Sequence, residues 1–259
     1  MGADEKSRGA PRLIAVANQK GGVGKTTTVV NLAAALAGLE KSVAIVDLDP
    51  QGNATTAVGI DTRELDATVY HVLIEEEPIE DVIVPTSVRN LYCVPANLDL
   101  AGAEVELVSI IARETRLREA LKPIRDDYDF ILIDCPPSLG LLTVNGLAAA
   151  NEVLTPIQCE YFALEGLGAL LRNVDLIRRT VNPGLHISGF MLTMYDARTN
   201  LAAEVAKEVR DHFGDQVLRT VIPRSVSLSE APSFGQPIEL YAPMSRGAIG
   251  YREVAREVL

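Results

Sequence analysis

Short apolar runs punctuate the chain at Leu13–Ala17, Val43–Asp47, Leu91–Pro95, Phe130–Asp134, Val153–Ile157, Ile187–Met194 and Val217–Ile222. Runs such as Phe-Ile-Leu-Ile (130–133) carry no polar alternation, as a strand buried on both faces should read. A buried helix segment would read similarly, but these runs are short and lead directly into Asp- or Gly-rich turns, which favours strands. Helical spacing fills the intervals at Thr26–Ala37, ended by Gly38; Arg113–Arg125; Leu164–Thr180, stopped near Pro183; and Leu201–Phe213, ended by Gly214. The alternation predicts an α/β fold: a doubly wound, mostly parallel sheet with helices on both faces.

The 259 residues are 47% hydrophobic, enough for one substantial core, and a single domain over 13–259 is expected. Residues 1–12 are polar, lack the apolar stretch of a secretion signal, and are expected to form a tail. The longest apolar stretch, Leu139–Ile157, is interrupted by Asn145, Asn151 and Glu152, so it is not a membrane span. Cys93, Cys135 and Cys159 are too few and too far apart for a disulfide framework or a paired zinc site, which points to a reducing cytoplasm. With 24 Lys and Arg against 35 Asp and Glu, the net charge of −11 repels nucleic acid and anionic membranes on average. Any DNA contact must come from a local basic patch, and the acidic run Glu75–Glu77 reads as a solvated face.

The most specific chemistry lies in Lys20-Gly21-Gly22-Val23-Gly24-Lys25-Thr26-Thr27, after the first strand and before an Ala- and Leu-rich helix. The phosphate-loop pattern GxxxxGK[ST] is present in modified form, because Lys20 stands where the first glycine would be. Gly21, Gly22 and Gly24 let the backbone fold closely around phosphate oxygens, so that successive N–H groups and the helix N-terminus face the anion. Lys25 then places a charge on the β and γ phosphates, and the Thr26 hydroxyl ligates Mg²⁺. A second lysine facing the same phosphates is costly unless it meets additional negative charge.

Two acids follow the second strand in Asp47-Leu48-Asp49-Pro50, on the same side of an extended chain because side chains alternate. Near the C-terminal edge of a parallel sheet both would overlook the phosphates, although capping of the next turn is an alternative for either. A further strand end, Ile131-Leu132-Ile133-Asp134, delivers one carboxylate in the manner of a Walker B strand, which reaches Mg²⁺ usually through water. Cys135 beside it reads as a small buried hydrophobe.

KGGVGKTT (20–27) resembles the deviant Walker A motif of the ParA/MinD family. The resemblance extends over nearly the whole chain from Leu13 through DLDPQGNAT (47–55), LAGAEVELV (100–108), IDCPPSLGLLTVNGL (133–147), QCEYFALEGL (158–167), MYDARTNL (194–201) and VIPRSVSLSEAPSFGQPI (221–238). It is strongest with the Soj-type chromosomal members. The resemblance implies that Lys20 reaches the nucleotide of a partner subunit, so that ATP joins two subunits face to face. It also implies that Asp49 orients the water attacking the γ phosphate, and that Asp47 supports the metal's water shell. The loop packing on adenine maps to Pro223 and Ser225, the latter an Asn in most of the family. Non-specific DNA binding maps to the surface arginines Arg198 and Arg224, with Ser227 standing where a further arginine is usual.

These readings predict an ATP- and Mg²⁺-dependent ATPase that dimerises with ATP, binds nucleoid DNA without sequence preference, and is released by a ParB-like activator. No helix-turn-helix segment precedes Leu13, so operator repression is not expected. One alternative is a MinD-like membrane regulator, which would need a basic amphipathic C-terminal helix; Tyr251–Leu259 is short and mixed in charge. Another is a small-molecule ligase of the dethiobiotin synthetase kind, which needs a pocket for a second substrate.

Overall fold

The strands lack polar alternation because both faces of the sheet are covered. In β1 (Arg12–Val16), Leu13 and Ala15 enter one core while Ile14 and Val16 enter the other. The same division holds in β2 (Val43–Asp47) and, beyond β3 (Val84–Pro85) and β4 (Leu91–Val94), in β5 (Phe130–Asp134), where Ile131 and Ile133 oppose Phe130 and Leu132. With β6 (Glu152–Gln158), β7 (His186–Tyr195) and β8 (Val217–Pro223), these make one eight-stranded sheet in the order β3-β4-β2-β5-β1-β6-β7-β8. Every pairing is parallel except β3 with β4 at one edge. This computed structural model describes residues 10–161 and 167–259.

The α-helices of the first half are α1 (Lys25–Gly38), α2 (Asn53–Ala57), α3 (Val69–Ile74), α4 (Ile79–Val82), α5 (Leu100–Glu106) and α6 (Arg116–Leu121). Then follow α7 (Leu141–Ala149), α8 (Leu167–Thr180), α9 (Asn200–Phe213), α10 (Val226–Glu230), α11 (Ile238–Tyr241) and α12 (Arg246–Val258). Helices α3 to α9 cover one face, and α1, α2 and α10 to α12 cover the other. The expected doubly wound fold is therefore the observed one. Ala33, Ala34 and Ala35 keep α1 slender, and α12 packs on it with Ala248, Tyr251, Val254 and Ala255 buried. Ser245 starts α12 by accepting from the Ala248 N–H at 3.2 Å.

Several expected boundaries move. The helix expected over Arg113–Arg125 is reduced to α6 between two 3-10 turns, since Pro123 offers no N–H and cannot continue the helix. Helix α8 is seen from Leu167, and residues 164–166 of that expectation lie outside the described residues. Residues 1–9 of the expected tail also lie outside them. Arg12 corrects that expectation: it opens β1, with its guanidinium on Glu152 at 2.7 Å and over the Phe130 ring at 5.4 Å. Helix α7 and the two-residue strand β3 are additions to the sequence reading. No helix among the described residues is long and apolar enough to cross a membrane.

Candidate active site

The parallel register assembles the site before any side chain does. Val16, the last residue of β1, pairs with Asp134 of β5, and Asp134 pairs with Asp47 of β2. The glycine loop and the two strand-end acids therefore meet at the C-terminal ends of three adjacent central strands.

The loop is pinned at both ends. Asn18 Nδ2 donates to the Pro156 carbonyl at 2.8 Å, and its Oδ1 accepts from the Lys20 N–H at 3.0 Å. Thr193 Oγ1 of β7 donates to the Val23 carbonyl at 2.8 Å. Between these anchors Gly22 and Gly24 have φ of 73° and 91°, the left-handed region that glycine enters without a steric cost. Added Cβ atoms on Gly21 or Gly22 would meet nothing within 4 Å, so the loop borders open space. Gly24 is the N-cap of α1 and no side chain caps that end. The first N–H groups of the helix remain for an anion.

Lys25 is only 7% exposed, and its Nζ lies 3.4 Å from the Lys20 carbonyl oxygen. Burial pulls its pKa down, opposed by the charges of Asp134 and Asp49. Lys20 itself is half-buried. Asp134 is fully buried, and neither carboxylate oxygen has a hydrogen-bond partner among the described residues. Burial pushes its carboxyl well above the usual range and the Asp47 charge adds to this, while the facing Thr26 hydroxyl and Lys25 favour the charged form. The Thr26 hydroxyl falls short of full hydrogen-bond geometry, so Asp134 stays unsatisfied. A buried carboxylate in this condition, beside a threonine hydroxyl and a phosphate loop, fits a divalent cation. Among the described residues no three His, Cys, Asp or Glu converge as a metal cage, so phosphate oxygens and water would have to complete the shell.

The metal-shell role expected of Asp47 meets a different geometry. Asp47 is fully buried; its Oδ1 accepts from the Asp49 N–H at 3.1 Å, and its Oδ2 from the Thr55 N–H and hydroxyl at 2.9 and 2.7 Å. Burial raises its pKa to about 6 against these hydrogen bonds. It therefore serves as the turn cap, the alternative left open for it. Asp49 is half-buried on the turn so formed, and its Oδ1 accepts from the Gln51 N–H at 3.0 Å. Cys135 is fully buried as expected, and a Cβ on Gly146 would stand 2.9 Å from its sulfur.

Beside the loop, a cleft of about 310 Å³ is lined by Gly24, Thr27, Met194, Pro223, Ser225 and Tyr251 among others. The two residues expected to contact adenine thus share one cavity with the phosphate loop. A second cleft of about 280 Å³ is lined by Thr26, Thr27, Asn31, Asn53, Thr56 and Gln236 among others.

The candidate DNA arginines are ion-paired. Arg198 grips Asp196 through Nε and Nη2 at 2.9 and 2.7 Å, and Arg224 Nη2 lies 2.7 Å from Glu160. All four side chains are partly or fully solvent-exposed, so both arginines stand at the surface with their charges compensated. The supports supplied by Asn18, Thr55 and Thr193 are absent from the sequence reading, because their partners lie on other elements.

A protein-family model described as an AAA domain matches residues 11–187. The chain is 55% identical to the sporulation initiation inhibitor protein Soj of Bacillus subtilis, over 95% of this chain and 98% of that protein. It is 52% identical to the chromosome partitioning protein ParA of Myxococcus xanthus, over 96% of this chain and 88% of that protein. Among solved structures, a cobyrinic acid a,c-diamide synthase from Mycobacterium smegmatis with bound ADP and magnesium is 41% identical. It superposes with a TM-score of 0.85, over 96% of this chain and 94% of that one.

Proposed function

The chain belongs to the ParA/MinD family of P-loop ATPases, on the side of the Soj and ParA partitioning proteins, and on that premise we propose that it is an ATP-driven dimerisation switch. One observation carries the reading: Asp134, buried with both oxygens unsatisfied among the described residues, stands in register with the end of the strand that feeds an uncapped glycine loop. Such a carboxylate is costly until a cation and phosphates arrive.

In this reading the loop N–H groups from Gly21 to Thr27 and the Lys25 ammonium hold the ATP phosphates. Thr26 and Asp134 would hold Mg²⁺, which would supply positive charge to neutralise the phosphates. Asp49 orients the attacking water, and the fixed geometry of its turn supplies the positioning on which phosphoryl transfer depends. Lys20, half-buried at the edge of the loop, crosses to the γ phosphate of a second subunit. Pro223 and Ser225 flank the adenine. The dimer then binds DNA through Arg198 and Arg224, exchanging their intramolecular carboxylates for phosphates, and a ParB-like protein stimulates hydrolysis. Exposed ion pairs such as Arg198–Asp196 hold weakly enough for that exchange.

A ligase reading has in its favour the name of the 41%-identical structure. Against it, the second cleft beside the loop is lined by Thr, Asn, Gln, Val, Ala and Pro, with no charged side chain to hold a carboxylate substrate.

Light scattering and ATP turnover on Asp49→Ala test the proposal. The variant is expected to bind Mg·ATP, persist as a dimer and lose about a hundredfold or more in turnover. Parental turnover would remove Asp49 from the reaction. ATP turnover that requires an added metabolite would turn the reading to a ligase.

A further inference from the structure

Asp49 is held from beneath by a short hydrogen-bonded chain whose central atom is the Thr55 hydroxyl. Thr55 is fully buried in α2. A threonine inside a helix commonly turns its hydroxyl back to the carbonyl one turn earlier. Here it instead donates to Asp47 Oδ2 at 2.7 Å and accepts from the Ala96 N–H at 2.9 Å. Its single proton and an acceptor lone pair are both committed, in a place without water exposure.

The chain continues on both sides. The Thr55 N–H also donates to Asp47 Oδ2, so one carboxylate oxygen is held from two directions while the other receives the Asp49 N–H. The far end of the same turn rests on the same support. Gly52 closes the turn by donating to the Asp49 carbonyl at 2.9 Å, and it has φ of 61°. A Cβ there would stand 2.8 Å from the Ala96 carbonyl oxygen. The backbone of Ala96 thus sets both the hydroxyl that fixes Asp47 and the seat of Gly52, and Asp49 lies on the turn between them.

We propose that Thr55 is a positioning residue for ATP hydrolysis: its hydroxyl locks Asp47 so that Asp47 locks the Asp49 turn, and the γ-phosphate water is met by a carboxylate with a fixed backbone. The inference rests on the reading of Asp49 as the water-orienting carboxylate. Thr55 is fully buried with its hydroxyl committed to Asp47 and Ala96, so it acts through Asp47. Removing its hydroxyl takes away one of the two donors on Asp47 Oδ2, so that the carboxylate anchoring the turn is held by backbone N–H groups alone, and it leaves Lys25, the glycine loop and the base cleft untouched.

Thr55→Val keeps the shape and deletes the hydroxyl. It is expected to leave ADP and ATP affinity within about threefold of the parent, since the phosphate contacts are unchanged, while kcat falls by about tenfold to a hundredfold, the scale of a small misplacement of a reacting group. Thr55→Ser, which retains the hydroxyl, should restore kcat to within about threefold. In the Asp49→Ala background, Thr55→Val should cost nothing further, because the group it positions is gone. If the valine variant does not fold, Asp47→Asn reads the same chain, since it replaces one acceptor by a donor among donors. The expected result is again a loss in kcat with affinity retained. Parental kcat in Thr55→Val, equal losses in affinity and kcat, or a serine variant as slow as the valine one overturns the proposal. If Asp49→Ala itself keeps parental turnover, the underlying assignment fails; if only the Thr55 variants do, this inference alone fails.

Discussion

Replacing Asp134 by Asn should make the nucleotide-free protein more stable and the nucleotide-bound protein less so. Asp134 is fully buried with both oxygens unsatisfied among the described residues, and its carboxyl is pushed well above the usual range chiefly by burial. An unsatisfied buried ion costs several kcal/mol, and a neutral amide of the same size about 1–3 kcal/mol. Part of the difference is returned, because Lys25 loses the largest charge favouring its ammonium form. The net gain should be about 1–2 kcal/mol at pH 8, or about 2–4 °C in melting temperature per kcal/mol for a chain of this size. The sign with pH follows from linkage. A carboxyl whose folded pKa is raised binds its proton more tightly in the folded state, so its destabilisation builds as pH rises from the unfolded value of about 4 toward the folded one. The advantage of the amide should therefore be larger at pH 8 than at pH 5. Urea denaturation in EDTA at both values measures it. Adding Mg·ATP at about a hundred times its dissociation constant should then stabilise the parent by about 2.7 kcal/mol and the variant by much less. A parent at least as stable as the Asp134→Asn variant at pH 8 without nucleotide, or equal stabilisation of both by Mg·ATP, would refute the view of Asp134 as a carboxylate waiting for a cation.

Lys20→Ala should leave ADP affinity of the monomer within about threefold while weakening the ATP dimer, because Lys25 meets Lys20 through the Lys20 backbone carbonyl, which the substitution keeps. A normal dimer by light scattering would rule out the cross-subunit role. Arg198→Ala should flatten the slope of log DNA affinity against log salt by up to about two units, one for each subunit of the dimer, and alike on unrelated duplexes. A slope equal to the parent's would remove Arg198 from the DNA face.

The parts of this molecule written in contiguous sequence were legible from it, and the parts made by distant contacts were not. Strands β1, β2 and β5 were readable because burial on both faces erases polar alternation, and that erasure is itself a signal. Helix α7 escaped for the same reason: Leu142, Thr143, Asn145, Gly146 and Leu147 are all buried, so no polar stripe marks a helical period. The phosphate loop was readable because a single run, Lys20 to Thr27, supplies its glycines, its ammonium and its helix N-terminus. The hold on Asp47 was not legible because it comes from Thr55, eight residues on, and from Ala96, reached through Thr55 across another 41. The compensation of the two arginines divides the same way. Asp196 lies two residues before Arg198 and could have been weighed against it, whereas Glu160 is 64 residues from Arg224. The division has a physical basis. Holding a phosphate needs backbone N–H groups and one cation within a few residues, which a loop can encode alone. Fixing a carboxylate in place needs more than its own loop, and a half-buried turn cannot fix itself: the Asp49 turn borrows its rigidity from β2, α2 and the segment after β4, which only the folded sheet brings together.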